Sequence, residues 1–202
     1  ALYAERELGP DALRLHLMKM SLLYYDALSV FQDRPVAAAP AASPMYRPVT
    51  YEKGAWALHT LRWIMGDTAF FAALRDYCDA HAHRIATLEG FRRVCEKRHG
   101  ADLGTFFEQW IERPGMPELS FGGGCAQYDP TVALWKTTVA VRQKEPCFAI
   151  PLELAFDLED GAQLRRVLPV ADATTTGVFA FDRRPRAVAL DPDRWILKYP
   201  NQ

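Results

Sequence analysis

The sequence predicts an α+β chain: an α-helical bundle over residues 1–117, followed by a small antiparallel β-sandwich over residues 118–202. Two observations carry that expectation. Apolar residues recur at helical spacing through the first half and alternate one in two beyond Glu118. At the change stands Pro114-Gly115-Met116-Pro117, which no helix can run through.

The elements follow in order. Gly9-Pro10 breaks the entry segment, and Asp11 is the expected N-cap of the next helix. Leu13, Leu17, Met20, Tyr24, Leu28 and Phe31 then share one helical face. Pro35 to Pro48 is rich in Pro and Ala and reads as a loop, because each proline lacks an N–H. An apolar helix from Ala55 to Met65 stops at Gly66-Asp67. Asp67, Thr87 and Asp102 are expected to cap three further helices. The first carries Phe70, Phe71, Leu74, Tyr77 and Cys78, the second has Phe91, Val94 and Cys95 on one face, and the third turns Leu103, Phe106, Phe107 and Trp110 inward, with Cys78 and Cys95 expected to be buried thiols.

In the second half, Phe148, Ile150, Leu152, Leu154 and Phe156 alternate as a half-buried strand does. Glu159-Asp160-Gly161 is a hairpin signal leading to Leu164–Leu168. Further strands are expected at Val132–Val141, Gly177–Phe181 and Ala187–Leu190, with a turn at Asp191-Pro192-Asp193 into Trp195-Ile196-Leu197. Short strands separated by turns point to a sandwich.

Composition excludes several function classes. Half of the 202 residues are hydrophobic, enough for a sizeable core. Lys and Arg number 24 and Asp and Glu 25, a net charge of -1, so no nucleic-acid or acidic-membrane partner is indicated. No apolar run is long enough to span a bilayer. Cys78, Cys95, Cys125 and Cys147 are scattered without a Cys-x-x-Cys pair, and nothing indicates a Cys125–Cys147 bridge. Free thiols lean toward a reducing compartment, while cytoplasm and periplasm both stay open. The oligomeric state is not legible.

Three clusters invite a chemical reading. Cys78 and His81 lie one helical turn apart and His83 is near, but structural zinc needs four placed ligands, so a solvated helix end is the better account. Gly122-Gly123-Gly124 lacks the Lys-Ser/Thr and the helix of a phosphate loop and reads as a flexible join. No Gly-x-Ser-x-Gly elbow is present. The most informative stretch is Tyr51-Glu52-Lys53-Gly54, where a loop delivers a tyrosine to the start of an apolar helix. A phenolic O–H held there is a fixed neutral donor for a developing negative oxygen. The plainer alternative is a ring packed at a helix start.

Tyr51-Glu52-Lys53-Gly54, Gly66-Asp67, Phe70, Thr87, Phe91, Phe106-Phe107-Glu108-Gln109-Trp110-Ile111 and Pro114-Gly115-Met116-Pro117 form an ordered series. The series resembles the aminopeptidase N-like (leukotriene hydrolase-like) zinc metallopeptidases over roughly the first 120 residues. The part beyond resembles, more loosely, the small β-domain of some members. The resemblance implies the C-terminal part of a thermolysin-like catalytic domain, a peptide substrate, and Tyr51 as donor to the oxyanion of the tetrahedral intermediate. Lys53 and Gly54 match the motif but are not expected to be catalytic: Lys53 would tether the loop and Gly54 allow close backbone packing at the helix start. The family's zinc site is His-Glu-x-x-His with a later glutamate, and no His-Glu pair occurs in this chain. Ala1-Leu2-Tyr3-Ala4-Glu5 is similar to the stretch that follows that glutamate. The expectation is therefore a segment of a longer zinc aminopeptidase, starting just after the metal ligands. It would hold no cofactor and be inactive alone. The rival expectation is a non-catalytic interaction module derived from a peptidase scaffold.

Overall fold

Gly9 sets the first corner with a φ of 88°, and Pro10 then fits the first turn of a helix, where its missing N–H costs nothing. The computed structural model describes Leu2–Pro200. Among these residues the chain forms α1 (Leu2–Leu8), α2 (Pro10–Leu28), α3 (Gly54–Met65), α4 (Asp67–Ala80), α5 (Leu88–His99) and the short α6 (Gly104–Phe107). Then follow β1 (Leu119–Asp129), β2 (Leu134–Gln143), β3 (Ile150–Leu158), β4 (Gln163–Val170), β5 (Thr174–Phe181) and β6 (Pro185–Leu190). This is the α+β arrangement expected. The chain divides into two compact units, one running to Gly115 and including Trp195–Leu197, the other holding Met116–Arg194.

The helical unit is built on aromatic and aliphatic anchors. Leu13, Leu17 and Tyr24 of α2 are buried with Trp56, Ala57 and Leu61 of α3, and Trp56 Nε1–H donates to the Leu17 carbonyl at 3.1 Å. Phe106, Phe107 and Trp110 are buried, Phe106 stacking on Trp110 with centroids 6.2 Å apart. Phe31 lies beyond the end of α2 and is exposed rather than inward. Trp195 returns late in the chain to stack on His59 at 4.8 Å and Trp63 at 5.1 Å, and the Thr60 hydroxyl donates to its carbonyl at 2.9 Å.

Of the expected caps, Thr87 is right: its Oγ1 accepts from the Gly90 N–H at 3.1 Å. Asp11 and Asp67 stand one or two residues inside their helices, capped instead by Gly9 and Gly66. Leu103, not Asp102, precedes α6. Gly66 ends α3 and starts α4 with a φ of 75°, a conformation that a side chain resists, and this frees Asp67 for another partner.

That partner is Arg62, a buried side chain on α3. Its guanidinium donates to Asp67 at 2.7 and 2.8 Å and to Glu5 of α1 at 2.5 and 3.1 Å, tying three helices together. The hydrogen bonds from Arg62 hold the Asp67 carboxyl below its ordinary 3.8. An acid with a lowered folded pKa contributes stability that is fully present above 3.8 and lost as pH falls through the folded value. Thermal melts should therefore fall in midpoint below that pH, and Asp67→Asn should flatten the fall. An unchanged acid slope in the variant would show that Asp67 carries none of it.

The second unit is two antiparallel three-stranded sheets, ordered β1-β2-β5 and β4-β3-β6. They face each other through Phe156 of β3, whose ring lies 5.1 Å from Phe179 and 4.8 Å from Phe181 of β5. Gly177 lets the sheets close, since a Cβ there would lie 2.8 Å from Leu168 Cδ1. The strand over 148–156 was expected to be half-buried. Residues Leu152 to Phe156 are instead all buried, Glu153 being paired with Arg165 of β4 at 3.0 Å. Gly122–Gly124 is no flexible join: it lies inside β1 beside a bulge between Phe121 and Gly123. A Cβ on Gly124 would stand 2.8 Å from the Thr138 carbonyl oxygen, so the run serves close strand approach.

Candidate active site

The chain enters α3 through a π-helical turn, Pro48–Lys53, a wide turn often found at functional positions. Its footing is apolar. Met45 and Val49 are buried and hold the loop before and within the turn. Tyr51 stands out from this footing with 59% of its surface exposed, while Glu52 and Lys53 beside it are buried. The exposed tip thus sits on a backbone fixed from both sides. Tyr46 packs against Tyr51 edge to face at 6.4 Å, so the loop brings both tyrosines together. Among the described residues no group hydrogen-bonds the Tyr51 hydroxyl, which leaves it available to a ligand.

Lys53 is the anchor. Its Nζ is fully buried, donates to Asp33 Oδ2 at 2.8 Å and lies 5.9 Å from the Tyr24 ring centroid. The same Asp33 oxygen accepts the Gly115 N–H, so three distant stretches of chain meet at one carboxylate. Burial pushes the Lys53 ammonium below its ordinary 10.5, and Asp33 opposes that push. The tether expected of Lys53 is therefore present, and its partner is a residue that no motif pointed to. Glu52 lies 3.5 Å from Arg47, with its second oxygen buried and without a partner among the described residues. Gly54 does not serve close packing: a Cβ there would meet Val49 O at 3.7 Å and Val36 Cγ1 at 3.9 Å, which is ordinary contact.

The remaining sequence candidates stay apart. His81 ends α4 with its Nδ1 3.0 Å from the Tyr77 carbonyl, its ring against Tyr77, while His83 has a φ of 60°. Cys78 is exposed, against the expectation of a buried thiol, because it falls on the outer face of α4. Cys95 is buried, and burial pushes its thiol up to about 12, which makes it unreactive. All four cysteines are free thiols. Among the described residues no three His, Cys, Asp or Glu side chains come together to hold a metal ion, so these residues do not fit a zinc site. Among the described residues no helix is long and apolar enough to cross a membrane. An apolar hollow of about 340 Å³, lined by Tyr3, Leu13, Leu17, Leu58, His59 and Phe70, also opens in this unit, and Tyr51 does not line it.

Part of the chain matches a peptidase family model, and the similar proteins are aminopeptidases. The Peptidase family M1 domain matches residues 17–110, the stretch that carries the π turn and Tyr51. Aminopeptidase N of Haemophilus influenzae is 28% identical over 122 residues, covering 53% of this chain and 14% of that protein. Aminopeptidase N of Lactococcus lactis is 31% identical over 72 residues, covering 36% of this chain and 8% of that protein. Aminopeptidase N of Escherichia coli is 23% identical over 155 residues, covering 68% of this chain and 17% of that protein. The chain thus spans less than a fifth of these relatives. The crystal structure of Legionella pneumophila aminopeptidase A in complex with aspartic acid matches with a TM-score of 0.71 at 20% identity, over 100% of this chain and 23% of that one.

Proposed function

We propose that this chain, an aminopeptidase N-like member of peptidase family M1, serves the removal of N-terminal residues from peptides and contributes the oxyanion donor Tyr51. One observation carries the reading. Within the family-matched stretch, a tyrosine whose hydroxyl has no hydrogen bond among the described residues stands exposed on a turn that buries Val49, Glu52 and Lys53. Attack on a peptide carbonyl places a negative charge on its oxygen, and a donor held in advance stabilises that charge without reorganising. Tyr51 makes this hydrogen bond through its O–H. Lys53 and Asp33 hold the turn in place and do not touch the substrate. Leu2–Gly115 with Trp195–Leu197 forms the helical part of the catalytic domain and lines part of the cleft, and Met116–Arg194 forms an accessory sandwich.

Among the described residues no three His, Cys, Asp or Glu side chains come together, so this reading assigns the ligands of the zinc that M1 peptidases use to a longer protein containing the chain. The isolated 202-residue chain is therefore expected to hydrolyse no aminoacyl p-nitroanilide and to hold no stoichiometric zinc by elemental analysis. The longer protein containing it should do both. Turnover with stoichiometric zinc in the isolated chain would overturn the division of labour. A longer protein without turnover would instead favour a non-catalytic binding module.

A further inference from the structure

The sandwich unit contains a cleft that the peptidase reading leaves unused. It opens along one side of the sandwich, where β1 is the edge strand of one sheet and β6 the edge strand of the other. Its volume is about 440 Å³, within the range of small-molecule sites. Its origin lies in the sequence of β1. The inward row of β2 carries Trp135, Thr137 and Val139, whereas the β1 residues paired with Thr137 and Val139 are only Ala126 and Gly124. Small side chains there leave open space in front of Phe156 and Val188.

Two features give the cleft a chemistry. The Thr137 hydroxyl lines it, is buried to 7% exposure of its residue, and has no hydrogen-bond partner among the described residues, a cost that a ligand would remove. Among the described residues Arg184 and Arg186 are the only charged side chains lining it, and neither guanidinium has a carboxylate partner there. Arg184 is held in place over the Trp135 ring at 5.3 Å.

We propose that this cleft binds an apolar amino acid with an acylated amine and a free carboxylate. The apolar side chain lies on Val139, Phe156 and Val188, the amide hydrogen-bonds Thr137, and the carboxylate meets Arg184 and Arg186. The ligand is either a free N-acyl amino acid or the C-terminal residue of a peptide, since both present these groups.

The test is a titration of the full chain followed by amide NMR shifts, with N-acetyl-leucine as the probe. Saturable binding is expected, with shifts at Phe121–Ala126 and Arg184–Val188. N-Acetyl-leucinamide, which lacks the charge, should bind at least about tenfold more weakly, as should the Arg184→Gln/Arg186→Gln variant. 4-Methylpentanoate, which lacks the amide, should bind several-fold more weakly than N-acetyl-leucine. Thr137→Val should abolish that difference, provided the variant melts normally. A hexapeptide ending in leucine that binds at least as tightly identifies peptide C-termini as the source, and one that fails to bind identifies the free acid. Absence of saturable binding, or equal affinity for acid and amide, overturns the proposal.

Discussion

Tyr51→Phe in the longer enzyme should lower turnover by about a hundred- to a thousandfold, roughly 3–4 kcal/mol of transition-state stabilisation. The Michaelis constant should change far less, because the oxyanion exists only in the transition state. The ring is retained, and the hydroxyl has no hydrogen bond within the described residues, so the melting temperature should not move. A tyrosine that merely packs at a helix start gives a different pattern: near-normal turnover, with any loss seen in stability. Turnover, Michaelis constant and melting temperature from one sample separate the two. Activity within a few-fold of the parent and an unchanged melt would remove Tyr51 from the chemistry.

The largest effect on stability is expected at Asp33. Asp33→Ala strips a fully buried ammonium of its counter-ion and leaves the Gly115 N–H without its acceptor. Breaking a buried pair from one side typically costs about 3–5 kcal/mol, readable as a shift in the denaturant midpoint. The pH dependence has a definite sign. Burial already lowers the Lys53 pKa below 10.5, and loss of Asp33 lowers it further. The unfolded chain then binds more protons than the folded one, so the deficit should shrink as pH rises toward 10.5. Lys53→Met combined with Asp33→Leu should recover much of the loss, since the cost lies in the unpaired charge. A single Asp33→Ala variant as stable as the parent would show that the pair does not anchor the turn.

Much of the fold was legible because it rests on local rules. Thr87 followed by an amphipathic run, Gly100 at its end, and the alternation from Phe148 to Phe156 each specify an element without reference to the rest of the chain. The errors have physical causes. Asp11 and Asp67 look like caps, but a neighbouring glycine takes the unusual backbone conformation and the carboxylate goes elsewhere, in the case of Asp67 to a buried arginine. Gly122–Gly124 looks like a hinge, yet its value lies in how near the next strand passes. At the candidate site Tyr51 was visible through its motif. Asp33 was not, because its partners are 20 and 82 residues away and no spacing rule reaches them.

The return of Trp195 has a consequence for how the chain is handled. The helical unit is discontinuous in sequence: its last piece is made 135 residues after Thr60, to which it is hydrogen-bonded. A helical unit cut at Gly115 lacks the indole that covers His59 and Trp63. Synthesis from the N-terminus leaves those two rings uncovered until Trp195 has been made, and the loop that must close to cover them is long. Expression of the helices alone therefore tests an incomplete object, and any study of this unit in isolation needs the segment through Leu197 restored by fusion or by added peptide.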